Sequence, residues 1–150
     1  MNSLSFRSAG WDELEGHWQE LVRAAYHQHY IGMGESYAGV TDAEEKIEHM
    51  KHFIDGLPAW AAWDGGHLAG FLTGRIDGER LLLYDLFVAP ASRRQGIGRR
   101  LVELAIQESG ARVITAEVNR QNAASQALFK ALDFQCELTS DWLVLRLPKK

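Results

Sequence analysis

The stretch from Leu81 to Leu101, LLLYDLFVAPASRRQGIGRRL, constrains this chain more than any other. An apolar run of strand formers leads into Ala89-Pro90, a polar turn bearing Gly96 and Gly98 follows, and an apolar-periodic helix then begins. Such a turn is suited to holding anions. The first backbone N–H groups of a helix have no partner within it, and the aligned peptide dipoles place partial positive charge there. Glycine at 96 and 98 removes Cβ atoms that would keep a phosphate oxygen off those amides. Arg93, Arg94, Arg99 and Arg100 stand here with no acidic residue between Leu86 and Arg100, in a chain of net charge -4.

Spacing separates the kinds of glycine loop. A dinucleotide fingerprint needs a third glycine where this chain has Leu101, and a P-loop needs Lys then Ser or Thr where it has Arg99-Arg100. The pattern present is R-x-x-G-x-G, Arg93 to Gly98, after a strand ending in Val88-Ala89-Pro90. Taken alone it is also compatible with an arginine-rich cap on an ordinary strand–helix unit. A second segment follows, Val118-Asn119-Arg120-Gln121-Asn122-Ala123-Ala124-Ser125-Gln126-Ala127-Leu128-Phe129-Lys130-Ala131-Leu132-Asp133-Phe134. Together the two resemble the GNAT superfamily of acyl-CoA-dependent N-acetyltransferases, whose second motif reads V-N-x-x-N-x-x-A-x-x-L-Y-x-x-L-G-F. The likeness is close over residues 81 to 134, and over residues 1 to 57 it extends only to the order of elements.

The rest of the chain sets the frame. A length of 150 residues suits one domain, 1–150, with 46% hydrophobic and 24% charged residues, the composition of a soluble globular protein. Cys136 is the single cysteine, so no intrachain disulfide can form and a reducing, cytoplasmic setting is expected. No apolar run is long enough for a membrane span, and the acidic balance disfavours a nucleic-acid partner.

Periodicity gives the elements. Leu4 to Arg7 alternates as a strand, and Trp11, Leu14, Trp18, Leu21, Val22 and Ala25 predict one helix over 11–29. A second helix is expected from a capping box at Thr41 and Glu44, with Ala43, Ile47, Met50, Ile54 and Leu57 as its apolar face and Pro58 as its stop. From Pro58 the period becomes 2. Strands are expected at Ala59–Trp63, His67–Arg75 and Leu81–Val88, then a helix from Gly98 to Ser109 stopped by Gly110. Strand 111–118, helix 122–132 and strands 134–137 and 142–147 close the chain. The order is that of an α+β, or mixed α/β, protein. The resemblance implies more: a central, mostly antiparallel sheet of six or seven strands, splayed between strands 4 and 5 and flanked by about four helices.

Site residues follow from the resemblance. The strand carrying Leu86, Phe87 and Val88 would pair with the pantetheine arm of acetyl-CoA. The loop of Arg93, Arg94, Gln95, Gly96, Ile97, Gly98 and Arg99 would hold its pyrophosphate. Asn119, Asn122, Ser125 and Phe129 match positions lining the cofactor cleft, although Asn122 also reads as an N-cap and Ser125 as a small residue at a helix contact. A backbone N–H at or near Val88 would receive the oxyanion. Pairing into homodimers, common among small enzymes of the family, is the oligomeric form to test for.

The chemistry sets its own demands. An alkylamine with a pKa of about 10.4 is protonated at neutral pH and cannot attack a thioester until a base removes its proton. Asp85 is the carboxylate nearest the cleft in sequence, and Glu117 is the second candidate. Strand alternation puts Tyr84 and Asp85 on opposite faces unless a bulge intervenes. The chain departs from the family at Phe129, where a tyrosine usually protonates the leaving thiolate. Tyr84, Tyr26, Tyr30 or Tyr37 could supply the proton, or the thiolate could leave unassisted, since thiol pKa values lie near about 8.5. Asp133 stands at a usual glycine, where aspartate tolerates a left-handed backbone.

The acceptor is expected to be a small amine. Glu35, Asp42, Glu44, Glu45 and Glu48 against Lys46 alone suit a cationic one, although a solvated helix face with a normal capping box is the simpler explanation of them. YDLFVAPASRRQGIG is also similar to a stretch of aminoglycoside 3-N-acetyltransferases and, more loosely, of polyamine acetyltransferases. Protein amino groups, aminoglycosides and a catalytically silent CoA-binding module remain alternatives. His49 and His52 lack the partners of a metal site, so no metal is expected. The tryptophans read as core, with Trp60 or Trp63 a candidate for the acceptor wall.

Overall fold

The computed structural model describes residues 4–31, 34, 36–52, 54–119, 123–139 and 142–148. Its elements are β1 (Leu4–Ser8), α1 (Trp11–Leu14), α2 (Trp18–Ile31), α3 (Ser36–Lys51), β2 (Ala59–Asp64), β3 (His67–Asp77), β4 (Arg80–Val88), a 3-10 turn (Pro90–Ser92), α4 (Ile97–Ser109), β5 (Val113–Asn119), α5 (Ala123–Ala131), β6 (Gln135–Thr139) and β7 (Trp142–Pro148). The strands form one seven-stranded sheet ordered β1-β2-β3-β4-β5-β7-β6. Its neighbours are antiparallel except for β4 and β5.

Helices cover both faces, so β2 is buried on both sides and reads as a continuous apolar run. Its residues still alternate. Trp60 and Ala62 join Ile97, Leu101, Val102 and Ala105 of α4 in one core. Ala59, Ala61 and Trp63 join Trp18, Leu21 and Val22 of α2 and Ile47 and Met50 of α3 in the other. Both Trp60 and Trp63 are therefore core residues, 3% and 7% exposed, rather than walls of an acceptor cleft.

Two expectations about the helices are corrected. The helix expected over 11–29 is broken after Leu14, where the chain passes through Gly16 at φ +88° and restarts at Trp18. The capping box at Thr41 does not form, because α3 begins at Ser36 and Thr41 lies inside it. Packing against α2 supports that earlier start: a Cβ on Gly39 would come within 2.9 Å of Tyr30 Cβ. Glu44, freed from capping, instead accepts a hydrogen bond from Arg23 Nη2 at 3.2 Å. At its other end α3 stops at Lys51, short of Pro58, yet Ile54 beyond it is still buried.

The last helix ends as a Schellman turn. Phe134 N–H donates to Phe129 O at 3.0 Å and Asp133 N–H to Lys130 O at 3.0 Å, with Asp133 at φ +64°.

Candidate active site

The site begins where β4 and β5 part. Their parallel register runs from Arg80↔Val113 to Leu83↔Ala116 and ends there. Beyond it Tyr84–Val88 remains paired to β3 alone, and β5 continues along β7 to Asn119. Asp85 N–H donates to Thr73 Oγ1 at 3.1 Å and Ala89 N–H to Ala69 O at 2.8 Å, both toward β3. Successive N–H groups of a strand point to opposite edges, so those of Leu86 and Val88 project into the split.

A β-bulge sits at the same point. Leu72 pairs with Leu86 and Gly74 with Leu83, which leaves Thr73 alone opposite both Tyr84 and Asp85. The extra residue resets the alternation: Leu81 and Leu83 before it and Leu86 and Val88 after it all face α4. Tyr84 and Asp85 thereby share the opposite face, with Phe87. Glu117 is exposed and shares that face across the split, because Ile114, Ala116 and Val118 point toward α4. The three catalytic candidates thus lie on one side of the sheet. Tyr84, 42% exposed, also lines an open concavity of about 540 Å³ with Gly56, Leu57, Pro58, Arg75 and Ile76.

The turn after β4 leads into α4 through two left-handed residues, Arg94 at φ +66° and Gly96 at φ +73°. A Cβ on Gly96 would meet nothing within 4 Å, so this residue leaves the loop's outer side open. Gly98 has a different part, since its Cβ would touch Leu128 Cδ2 at 3.4 Å and Leu86 Cδ2 at 3.5 Å and would face the core rather than the loop opening. The first bond of α4 runs from Arg100 N–H to Gly96 O at 3.0 Å, and no side chain caps the helix. The first-turn amides, from Gly96 through Ile97 and Gly98 to Arg99, are left without an intrahelical acceptor. Gln95, Arg93 and Arg94 are exposed. The remaining arginines are spoken for: Arg99 lies 3.7 Å from Glu103, and the Arg100 guanidinium sits 3.8 Å over the Phe6 ring. The loop's other positive charges are the exposed Arg93 and Arg94.

Gly70 docks this loop on the sheet. A Cβ there would come within 2.9 Å of Ile97 Cγ2 and 3.0 Å of Phe87 O, so only glycine admits the first residue of α4 so close to β3. On the far side of the split, Asn119 ends β5 and Ser125 is half-buried on α5. Asn122 lies outside the described residues. Phe129 is 4% exposed, its ring 4.9 Å from that of Phe134.

Sequence reasoning missed the surroundings of Asp85. Lys46 Nζ of α3 lies 2.8 Å from Asp85 Oδ1, and Tyr30 of α2 donates its hydroxyl hydrogen to Asp42 of α3. Burial, then the charges of Asp85 and Asp42, raise the Tyr26 phenol above its ordinary pKa, so it keeps its proton at neutral pH. The signal was in the sequence only as the i, i+4 spacing of Asp42 and Lys46 and of Tyr26 and Tyr30, which puts each pair on one helix face. Glu44 and Glu48 do not add to this recess, being held by Arg23 and Lys51. Among the described residues no group of three or more His, Cys, Asp or Glu could hold a metal ion, and no helix is long and apolar enough to cross a membrane.

The model of the acetyltransferase (GNAT) family matches residues 18–134. The chain belongs to that family. It is 35% identical over 72 residues to the ribosomal protein bS18-alanine N-acetyltransferase of Escherichia coli K12, a match covering 46% of this chain and 49% of that one. It is 28% identical over 127 residues to the mycothiol acetyltransferase of Corynebacterium efficiens, covering 82% and 41% respectively. The matches thus span about half the length, or less, of these curated relatives. In three dimensions it is similar to the PaiA N-acetyltransferase from Thermoplasma acidophilum, whose structure is a complex with coenzyme A, at TM-score 0.77 and 18% identity, over 97% of this chain and 99% of that one. At that identity the likeness concerns the fold, and this GNAT fold has the splayed sheet described above.

Proposed function

We propose that this GNAT chain transfers the acetyl group of acetyl-CoA to a primary amine of a small acceptor, by direct attack in a ternary complex. The observation that carries the reading is the meeting at one split of three things. These are unpaired strand amides, an uncapped and arginine-flanked helix start, and a carboxylate that a bulge turns toward the acceptor helices. The first-turn amides from Gly96 to Arg99, with Arg93, Arg94 and Gln95, hold the pyrophosphate. Leu86, Phe87 and Val88 lie along the pantetheine, and Asn119, Asn122 and Ser125 are the further cofactor contacts that the resemblance implies, as is Phe129, which is 4% exposed. The PaiA structure of the same fold contains coenzyme A, the ligand that this assignment supposes.

Asp85 takes the proton from the acceptor ammonium, Glu117 being the alternative base. The freed lone pair attacks the thioester carbonyl, the developing oxyanion is received by Val88 N–H, and the carbon–sulfur bond breaks as the amide forms, the second nitrogen proton passing to the departing thiolate or to water. Phe129 cannot protonate the thiolate. Tyr26, whose phenol is kept protonated by burial, and Tyr84 are the tyrosines on the acceptor face, and an unassisted thiolate is also a good leaving group at neutral pH. The absent hydroxyl at Phe129 favours one other reading, a CoA-binding module without turnover. Acetylation of a protein amino group or an aminoglycoside changes the acceptor and not these roles.

The test is thiol release from acetyl-CoA over a panel of amines. The reading expects release with at least one amine, and Asp85→Asn lowering kcat by about 100-fold or more with CoA affinity kept. Full rate in Asp85→Asn contradicts the base assignment, and CoA binding with no release on any amine favours the silent module.

A further inference from the structure

The recess between α2, α3 and the bulge already contains an amine. Lys46 Nζ is a primary alkylammonium 2.8 Å from Asp85 Oδ1, with the lysine side chain 27% and the aspartate side chain 11% exposed. Asp42, held by the Tyr30 hydroxyl, lies one turn before Lys46 on α3, and Tyr26, whose ring lies 6.2 Å from that of Phe87, feels the charges of both Asp85 and Asp42. Asp85 is the carboxylate that holds this ammonium, while Arg23 and Lys51 are engaged by Glu44 and Glu48.

Catalysis is hindered unless this arrangement opens. A second ammonium at Asp85 would have only Oδ2 left to it and would sit beside the like charge of Lys46 Nζ. The burial of Asp85 makes an uncompensated charge there costly, so Lys46 leaves only if another cation replaces it. Its flexible four-carbon stem and partial exposure allow the ammonium to swing into water.

We propose that Lys46 Nζ occupies the ammonium subsite of the acceptor, and that a primary alkylammonium enters by displacing it one for one from Asp85. The inference rests on the transfer reading above and names its substrate class: acceptors that arrive as alkylammonium ions, and not neutral arylamines or amines whose own carboxylate would meet Asp85 and Asp42. Lys46 is then a built-in competitor that every alkylammonium acceptor must displace. A site whose open form is a tenth of the population binds about tenfold more weakly than the open form itself.

The experiment compares wild type with Lys46→Met, both loaded with CoA, by calorimetric titration with n-butylamine, and by thiol-release kinetics with acetyl-CoA. The proposal expects n-butylamine to bind Lys46→Met about tenfold more tightly, and KM to fall by a similar factor with no matching change in kcat. Lys46→Gln, equally uncharged, must show the same if Lys46→Met does not fold. Binding that is unchanged or weaker in both variants overturns the proposal and makes the ion pair a structural one. Tighter amine binding without thiol release from any of the proteins upholds the ammonium subsite and overturns the transfer reading alone.

Discussion

Asp133 holds a left-handed backbone, φ +64°, at the end of α5, where a Cβ and a carboxylate both work against the turn. The steric cost of that conformation is about 1 kcal/mol for a residue other than glycine, and the negative charge lies at the helix end the dipole disfavours. The Schellman bonds and the contact of Phe129 with Phe134 compensate. Asp133→Gly should therefore raise stability by about 1 kcal/mol, seen as a Tm higher by about 2–4 °C. A lower Tm would show that the aspartate makes a contact worth more than the strain. The left-handed position was legible in the sequence, since the second motif places a glycine there. The burial of the Phe129 ring was not, because a single aromatic at helical spacing does not reveal which neighbour covers it.

Among elements, the contact of α4 with β3 decides where the anion loop sits. Gly70 lets Ile97 and Leu101 approach the strand, and Ile97 is the first residue of the helix whose free amides form the loop. Gly70→Ala must push Ile97 outward, so it is expected to destabilise by about 1–3 kcal/mol in chemical denaturation and to weaken CoA binding with it. Unchanged stability would mean that α4 shifts without loss. Element types were legible because the hydrophobic period switches from 3.6 to 2 at Pro58, and the strand expected over 81–88 is found at Arg80–Val88. The start of α3 was not legible. Thr41 and Glu44 fit a local capping box, but the face buried against α2 extends a turn earlier, and tertiary packing outweighs one cap. The bulge at Tyr84 and Asp85 was likewise invisible, since it depends on Thr73 of the neighbouring strand.

For the whole molecule, the pairing of β4 with β5 ends at Leu83 and Ala116, and the loop, the free strand amides and the candidate base collect beyond that point. The sequence motifs showed the loop and strand because both are contiguous in the chain. The recess of Tyr26, Asp42, Lys46 and Asp85 draws on α2, α3 and β4, and its ion pair spans 39 positions of sequence, so no local pattern announces it. The central claim is that the main-chain amides between β4 and α4 bind the diphosphate of CoA. Its most direct test is a nitrogen–proton NMR titration of the labelled protein with CoA. The account predicts large downfield shifts of the amide protons from Arg94 to Arg99, with smaller changes at Leu86 and Val88. Saturable binding that leaves Arg94 to Arg99 unmoved while other amides shift would contradict it.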